Sequence, residues 1–428
     1  MAKNSEEKKR EIIKTAFEIW GKTGFFNTSL KDVAVKFNMT KQGLLRHFGT
    51  KDNMLKEIAN YFFENYNSML QEAISIKVEN FTLKDFIKFY IQKHFNFFLD
   101  YIPFFFYFVS PISKKYFIQN IFLSEYRKKE EKEILQKLFL KENCWLKSYD
   151  SFFLLRYIYI VMFFLIIKEI KSLFYSKKDF IISITSIEEK QKGLLIENLS
   201  NIIINGFSSK KYIPIDFSKI EKEYEVKKEE IPQRDRIFDA IVKVISETSI
   251  WEASIEKIAK ELGMNKSTLF YYFRNKKEMF DGLLFEEISR NNNLFLSKID
   301  KNMNFYELLY ANMVFDRSYF LKDIKSLYYF DWLHFQKIKG FNFSSIKEIS
   351  KSKLATKEFI SKRYFFLIEA FNNNLLNTYN FNIEDFIGLM NMLIVKDLAI
   401  DIEMRKEVVL SDVRAIYLIF LYGISNTI

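Results

Sequence analysis

One stretch of the chain occurs twice, and this duplication constrains the fold more than any other feature. Residues 28–51 and 253–276 align without a gap. Identical residues occupy aligned positions at Ser29 and Ser254, Ala34 and Ala259, Met39 and Met264, Lys41 and Lys266, Leu44 and Leu269, Phe48 and Phe273, and Lys51 and Lys276. We therefore expect two bodies, each carrying one copy.

Each copy has the pattern of two short helices joined by a tight turn. Ser29 is a suitable N-cap for the first helix, and Thr40 and Asn265 are suitable N-caps for the second. Asn38 stands where a left-handed residue would end the first helix, and Gly263 takes that place in the second copy. The pattern predicts a helix-turn-helix.

The second helix of such a unit can enter the major groove of DNA, which is wide enough for one helix. Lys41 and Gln42 stand at its N-terminal end, where base edges come within reach, and Arg46 and His47 follow one turn later. The helix N-termini at Ser29 and Lys51 suit phosphate. The predicted DNA contacts are Thr28, Ser29, Thr40, Lys41, Gln42, Gly43, Arg46, His47, Lys51, Ser254, Asn265, Lys266, Ser267, Thr268, Tyr271, Tyr272 and Lys276.

A leading amphipathic helix, Ser29, Ala34, the Met-Thr-Lys turn and the spacing Leu-x-x-x-Phe-x-x-Lys together resemble the DNA-binding region of TetR/AcrR-type transcriptional regulators. The second copy, MNKSTLFYYFRNKKEMF, resembles it more closely. The resemblance implies an all-α regulator. Each three-helix head would join, through a fourth helix, a helical body that binds an effector and dimerises. It also implies repression relieved by a ligand.

Both copies depart from the family pattern at one position. A tyrosine usually follows the leucine of the recognition helix, and this chain has Leu45 and Phe270 there. The resemblance therefore implies that one phosphate contact is lost in both heads. The His/Tyr position two residues further on is kept, as His47 and Tyr272.

The duplication divides the chain into five segments. We expect a first head at 1–58, a first body at 59–207, a linker at 208–233, a second head at 234–281 and a second body at 282–428. The linker contains Pro214 and Pro232 and has a charged middle. Fully extended, it would reach roughly 90 Å.

Composition favours helices and a reducing compartment. The 428 residues include 11 Gly and 4 Pro, fewer than loop-rich folds need. Cys144 is the single cysteine, so a disulfide within the chain is impossible. The charged N-terminal residues do not resemble a secretory signal, and the apolar run Tyr157–Ile167 is shorter than the roughly 20 residues of a membrane span. We expect a cytoplasmic protein without a membrane segment.

The aromatic content of both bodies suggests an apolar or aromatic effector. Polar-tipped residues within apolar runs are the pocket candidates, with plain core packing as the alternative for each. These candidates are Tyr90, His94 and Tyr157 in the first body, and Tyr310, Trp332 and His334 in the second. The histidines lie far apart and lack metal-ligand spacing, so no metal or cofactor is expected.

With two different heads in one chain, we expect an intramolecular pseudo-dimer on a non-palindromic double-stranded DNA operator. Helices near Phe152–Ile170 and Lys192–Phe207 would pack against those near Ile383–Ile402 and Ser411–Ile424. The first head carries a charge of roughly +5 and the second roughly zero, so the first would supply more of the phosphate attraction. Further homodimerisation stays open.

Two other functions remain as alternatives. One is a protein-interaction scaffold with degenerate heads, which Leu45, Phe270 and the neutral second head would suit. The other is a small-molecule enzyme, against which stands the lack of a Gly-rich phosphate loop, nucleophile elbow or paired carboxylate motif.

Overall fold

The computed structural model of the chain describes residues 2–21, 25, 28–74, 81–110, 125–174, 187–247, 254–274, 276–330, 358, 361–403 and 410–425. These residues are mostly helical, and an isolated bridge between Ser208 and Leu376 is the one β interaction among them. The expectation of an all-α fold with two tandem modules is confirmed. The chain divides into two compact units, Met1–Ile204 and Asn205–Asn426.

The described helices of the first unit begin with a head of short helices and continue into longer body helices. They are α1 (Ala2–Gly21), α2 (Leu30–Lys36), α3 (Lys41–Leu45), α4 (Lys51–Ile74), α5 (Leu83–Leu99), α6 (Ile102–Phe108), α7 (Glu125–Lys141), α8 (Ser151–Phe174) and α9 (Glu189–Asn205).

Aromatic side chains join the head of the first unit to its body. The Phe17 ring of α1 lies 5.4 Å from Phe104 and 5.2 Å from Tyr107, both on α6, and 5.0 Å from Phe25. Phe62 of α4 lies 4.9 Å from Tyr107. Such ring pairs add to the free energy of burial, so α1, α4 and α6 form one packed joint.

Helix α8 is the most apolar segment of the first unit. By length and composition alone, its residues Ser151–Ile170 would suffice to cross a membrane. The apolar run that the sequence shows is therefore shorter than the helix that contains it. Because 72% of this stretch is buried inside the protein, core packing accounts for its apolar composition.

The described helices of the second unit repeat this order after an additional helix. They are α10 (Phe217–Tyr224), α11 (Arg236–Glu247), α12 (Ile255–Glu261), α13 (Lys266–Tyr272), α14 (Lys276–Lys298), α15 (Phe305–Lys322), α16 (Phe365–Asn372), α17 (Ile383–Glu403) and α18 (Ser411–Tyr422).

Helix α15 forms the centre of the second unit. It packs against α10, α14, α16, α17 and α18, and its side chains from Phe305 to Phe320 are buried except Glu307. Two of the buried side chains are charged, and both are paired. Asp316 accepts from Arg363 Nη2 (2.7 Å), and Arg317 donates to Asp397 (2.8 Å). Pairing offsets the large cost of burying isolated charges.

The segment expected to be an extended linker is instead part of the second unit. Helix α10 forms there, with Ile220 and Tyr224 buried. Arg414 of α18 donates two hydrogen bonds of 2.5 Å to the Glu221 carboxylate, and the Val226 N–H donates to Ser318 Oγ (2.9 Å). The segment therefore does not span 90 Å. Ile220 and Tyr224 lie one turn apart among charged residues. The charges dominate the local pattern, so the sequence alone predicts a linker.

The chain directly after α9 is bonded into the second unit. The Phe207 N–H donates to the Phe420 carbonyl (2.8 Å), and the Asn377 N–H donates to the Phe207 carbonyl (2.6 Å). Gly206 has a φ of +67°, and a Cβ added there would lie 2.4 Å from the backbone carbonyl of Leu421. Only glycine fits this position.

We expect Gly206→Ala to destabilise the second unit by about 3 kcal/mol or more, since it combines a left-handed backbone with a clash against backbone atoms. Gly193→Ala is the matched control. An added Cβ there meets no atom within 4 Å, and the position is helical, so a gain of about 0.5–1 kcal/mol is expected. Urea unfolding measures both. Equal stability of the two variants would contradict the close packing at Gly206.

Candidate nucleic-acid interface

The turn between the two short helices has the same hydrogen bonds in both heads. In the first head, the Met39 N–H donates to the Ala34 carbonyl (2.9 Å), and Asn38 has a φ of +53°. In the second, the Met264 N–H donates to the Ala259 carbonyl (2.8 Å), and Gly263 has a φ of +66°. This is a Schellman motif. The left-handed residues predicted from the sequence are confirmed.

The predicted N-caps are also confirmed. Thr40 Oγ1 accepts a hydrogen bond from the Gly43 N–H (3.0 Å), and Asn265 Oδ1 accepts from the Thr268 N–H (2.7 Å). Ser29 and Ser254 cap the preceding helices in the same way. Since the turn and the caps set where each recognition helix starts, α3 and α13 are built alike at their N-termini.

The recognition helix of the first head is short and carries exposed basic side chains. Leu44 is its buried residue, whereas Lys41 and Gln42 are exposed. The helix ends at Leu45, so Arg46, which is exposed, lies in the turn that follows. Within the described ranges, Lys41 and Arg46 form no ion pair. These side chains are accessible to a polyanion.

The other predicted contacts of the first head vary in exposure. Lys51 is exposed at the start of α4, whereas Thr28, Ser29, Gly43 and His47 are half-buried and Thr40 is exposed. The His47 ring packs 6.4 Å from Phe48. The basic side chains are thus the more accessible part of this surface.

The recognition helix of the second head presents different chemistry. Lys266, Ser267 and Thr268 are exposed on its first turn, and Leu269 is buried. Aromatic rings continue the surface, with Tyr271 89% exposed and Tyr272 52% exposed. Lys276 begins α14, but its side chain lies outside the described residues.

Lys266 is paired within its own head. Its Nζ donates to Glu256 Oε1 at 2.5 Å and lies 6.0 Å from the centre of the Phe270 ring. The hydrogen bond from Lys266, followed by bonds from the backbone and from Ser254, lowers the pKa of Glu256 to about 2. Glu256 also lies in the first turn of α12, where a carboxylate complements the helix dipole. Its direct partner is the recognition-helix lysine.

Comparison with known proteins identifies both heads. The family model "Bacterial regulatory proteins, tetR family" matches residues 12–58 and again residues 237–283. Both heads are tetR-family domains. The resemblance stated from the sequence is thereby confirmed for two tandem modules.

Curated relatives share part of the chain. It is 33% identical over 63 residues to the fatty acid metabolism regulator protein of Bacillus subtilis, and 31% identical over 58 residues to the class D tetracycline repressor protein of Escherichia coli. It is 30% identical over 97 residues to an HTH-type transcriptional regulator of Staphylococcus aureus. These matches cover 15%, 14% and 23% of this chain. The chain spans 32%, 27% and 50% of those relatives' lengths. No solved structure matches the chain significantly.

Both charged groups and aromatic side chains attach the second tetR-family head to its body, and Tyr329 and Phe330 of the body pack against the apolar core of the head. Arg234, directly before α11, donates to Asp323 (2.5 Å) and Ser326 (2.7 Å) and is paired with Glu287 of α14. Burial would raise the pKa of Asp323, but the hydrogen bond and charge of Arg234 bring it below its usual value. Arg290 completes the cluster through Glu287 (2.9 Å). Sequence patterns gave no sign of this joint, because its members lie far apart along the chain.

Two of the predicted effector residues come together in the first body. His94 Nδ1 donates to the Tyr90 carbonyl (2.8 Å), so Nε2 accepts from the Tyr159 hydroxyl (2.6 Å). Tyr66 is bonded to Tyr159, and the Tyr90 hydroxyl donates to Glu131 (3.2 Å). Burial lowers the pKa of His94 to about 4.

Tyr157 does not join that cluster, and its buried hydroxyl has no hydrogen-bond partner among the described residues. Tyr159, which the sequence does not single out, contacts His94 in the place expected for Tyr157. Both tyrosines lie in the same apolar run, and the rotation of α8 about its axis decides which of them faces His94. In the second body, the Tyr310 hydroxyl donates to Glu221 (2.5 Å), and Trp332 and His334 lie outside the described residues.

Three carboxylates in the second body have a spacing that a metal ion could use. Ligand oxygens of Asp397, Asp401 and Asp412 lie within 4.8 Å of one another. The buried Arg317 guanidinium already donates to Asp397 (2.8 Å) and Asp401 (2.7 Å) and lies 3.7 Å from Asp412. A cationic side chain thus stands against these oxygens, which is the arrangement of an ion-pair cluster.

The buried state of His94 predicts a pH dependence. Because its pKa falls from 6.5 to about 4 on folding, the unfolded chain binds a proton first as the pH drops. Stability should therefore decrease by about 1.4 kcal/mol per pH unit between pH 6.5 and 4 from this group. The difference in unfolding free energy between wild type and His94→Gln should shrink by about 2 kcal/mol from pH 7 to pH 5. An NMR titration of His94 in the folded protein with a midpoint near 6.5 would contradict this.

Proposed function

We propose that the chain is a sequence-specific, DNA-binding transcription regulator whose two heads contact different half-sites of one non-palindromic operator. The observation that carries the proposal is the pair of tetR-family helix-turn-helix units with the same turn and caps but different exposed side chains. The shared turn suits both recognition helices to the major groove, and their different side chains would give them different base preferences.

The first head supplies basic contacts. Lys41 and Gln42 lie at the N-terminal end of the recognition helix, where base edges are within reach, and Arg46 and Lys51 are directed to the phosphate backbone. The second head supplies Ser267, Thr268 and exposed tyrosines in the corresponding places, with Lys266 paired to Glu256. The other residues predicted from the sequence as DNA contacts remain part of the proposed surface of the head that contains them.

The regulator acts as a ligand-responsive repressor in this proposal. Support comes from relatives that are named a tetracycline repressor and a fatty acid metabolism regulator. The effector would be a small apolar or aromatic molecule, and Tyr90 and His94 remain the candidate residues of the first body. A regulator of this kind acts in the cytoplasm and needs no cofactor.

We place the heads at 1–58 and 234–281 and infer that the two modules form an intramolecular pseudo-dimer. Support comes from the match of the tetR-family model to two heads in one chain. Tethering both modules raises their effective concentration, so pairing does not depend on the expression level. Light scattering distinguishes one chain per particle from a further homodimer.

A mobility-shift assay with duplex DNA from the chain's own upstream region tests the first head. We expect Lys41→Ala to weaken binding by about 1–3 kcal/mol, because an accessible cation of the recognition helix is lost. Lys84→Ala is the control, since it removes an exposed lysine from the first body and should leave the affinity unchanged. If wild type gives no shift even at low salt, the scaffold alternative replaces this proposal.

Selection of binding sites from random duplexes tests the operator. The selected sequences should contain two different half-sites about one helical turn or a multiple of it apart. Replacing Gln42 and Arg46 with the residues at the aligned positions of the second head (Gln42→Ser and Arg46→Tyr) should change the preference at one half-site only. Recovery of a perfect palindrome with wild-type protein would contradict the proposal.

A further inference from the structure

The lysine that begins the recognition helix is present in both heads but has a different electrostatic environment in each. Lys41 is exposed and forms no ion pair within the described part of the chain. Lys266 stands at the aligned position and is bonded to Glu256 at 2.5 Å. The residue that aligns with Glu256 in the first head is Lys31, so the charge next to the recognition helix is reversed.

The carboxylate of Glu256 is held in place by more than its partner lysine. It lies in the first turn of α12, and it also accepts hydrogen bonds from its own backbone N–H and from Ser254. Because these bonds favour the charged form, the group stays ionised at any physiological pH. A negative charge is therefore fixed beside the surface that would face DNA.

We propose that Glu256 is a specificity-determining residue of the second head, because it neutralises Lys266 and thereby restricts this head to half-sites whose bases replace the ion pair. The inference rests on the proposed DNA-binding function. Unpaired lysines bind any duplex through release of counterions, whereas a paired lysine releases none until the pair breaks. The first head thus supplies the sequence-independent attraction, and the second adds discrimination.

The two heads consequently contribute differently to DNA binding. The first head binds the duplex through accessible basic groups, and the second completes the complex when its half-site is correct. An exposed ion pair is weak in water, so Glu256 lowers the affinity of the second head without abolishing it. Removing the carboxylate should strengthen binding to arbitrary sequences more than binding to the operator.

The test compares Glu256→Gln with Glu261→Gln in the full-length chain. Glu261 lies at the opposite end of the same helix and pairs with Lys243 of α11 at 2.6 Å. Glu261→Gln therefore removes the same charge and a similar ion pair, but not the pair with the recognition-helix lysine. The probes are a mixed-sequence duplex long enough for two half-sites and the selected operator. We expect Glu256→Gln to bind the mixed-sequence duplex about three- to tenfold more tightly at low salt, with a salt slope steeper by about one. The ratio of specific to nonspecific affinity should fall.

Glu261→Gln should remain within about twofold of wild type, and Lys31→Glu should weaken nonspecific binding by the first head. The inference would be overturned if Glu256→Gln and Glu261→Gln changed the affinity for the mixed-sequence duplex equally, or if Glu256→Gln left it unchanged. In that case wild type would still bind DNA through Lys41. Failure of wild type to bind any duplex at low salt would instead overturn the proposed function. Thermal unfolding of each variant checks that the fold is intact.

Discussion

The left-handed residue between the two short helices is the constraint on which both heads depend. At Asn38 and Gly263 the backbone takes positive φ, which lets the following methionine N–H return to the third-last carbonyl of the preceding helix. A continuing right-handed turn would carry the recognition helix away from the capping residue. Asparagine tolerates this conformation and glycine adopts it freely. The same geometry therefore survives at a position where the two copies have different residues.

The two heads share this turn and its caps but differ in their exposed side chains and in their joints. The first head meets its body through Phe17, Phe104 and Tyr107, whereas the second adds the buried cluster around Arg234 to the packing of Tyr329 in its core. Aromatic pairs have preferred ring geometries, but only the arginine cluster requires defined donor and acceptor positions. Motion of a body would be transmitted to the two heads by different interactions.

The heads could be predicted from the sequence because their determinants are local. A cap, a left-handed residue and the apolar spacing lie within about two dozen residues, so the alignment of two copies was enough to place them. The bodies were less accessible, since their determinants join distant parts of the chain. The sequence predicts a linker where helix α10 lies, because the contacts that hold this helix, such as Glu221 with Arg414, are remote in sequence. Likewise, the sequence shows His94 as a polar group in an apolar run, but its partner Tyr159 depends on the rotation of α8.

The central claim is that one chain contacts two different half-sites through two different recognition helices. Its most direct test is a DNA-cleaving reagent attached to a cysteine placed at Gln42 or at Ser267 in a Cys144→Ala background. On the selected operator, each position should cleave at one place, and the two places should lie in different half-sites about one helical turn or a multiple of it apart. Cleavage by both positions at the same symmetric pair of places, or by one position alone, would contradict the account.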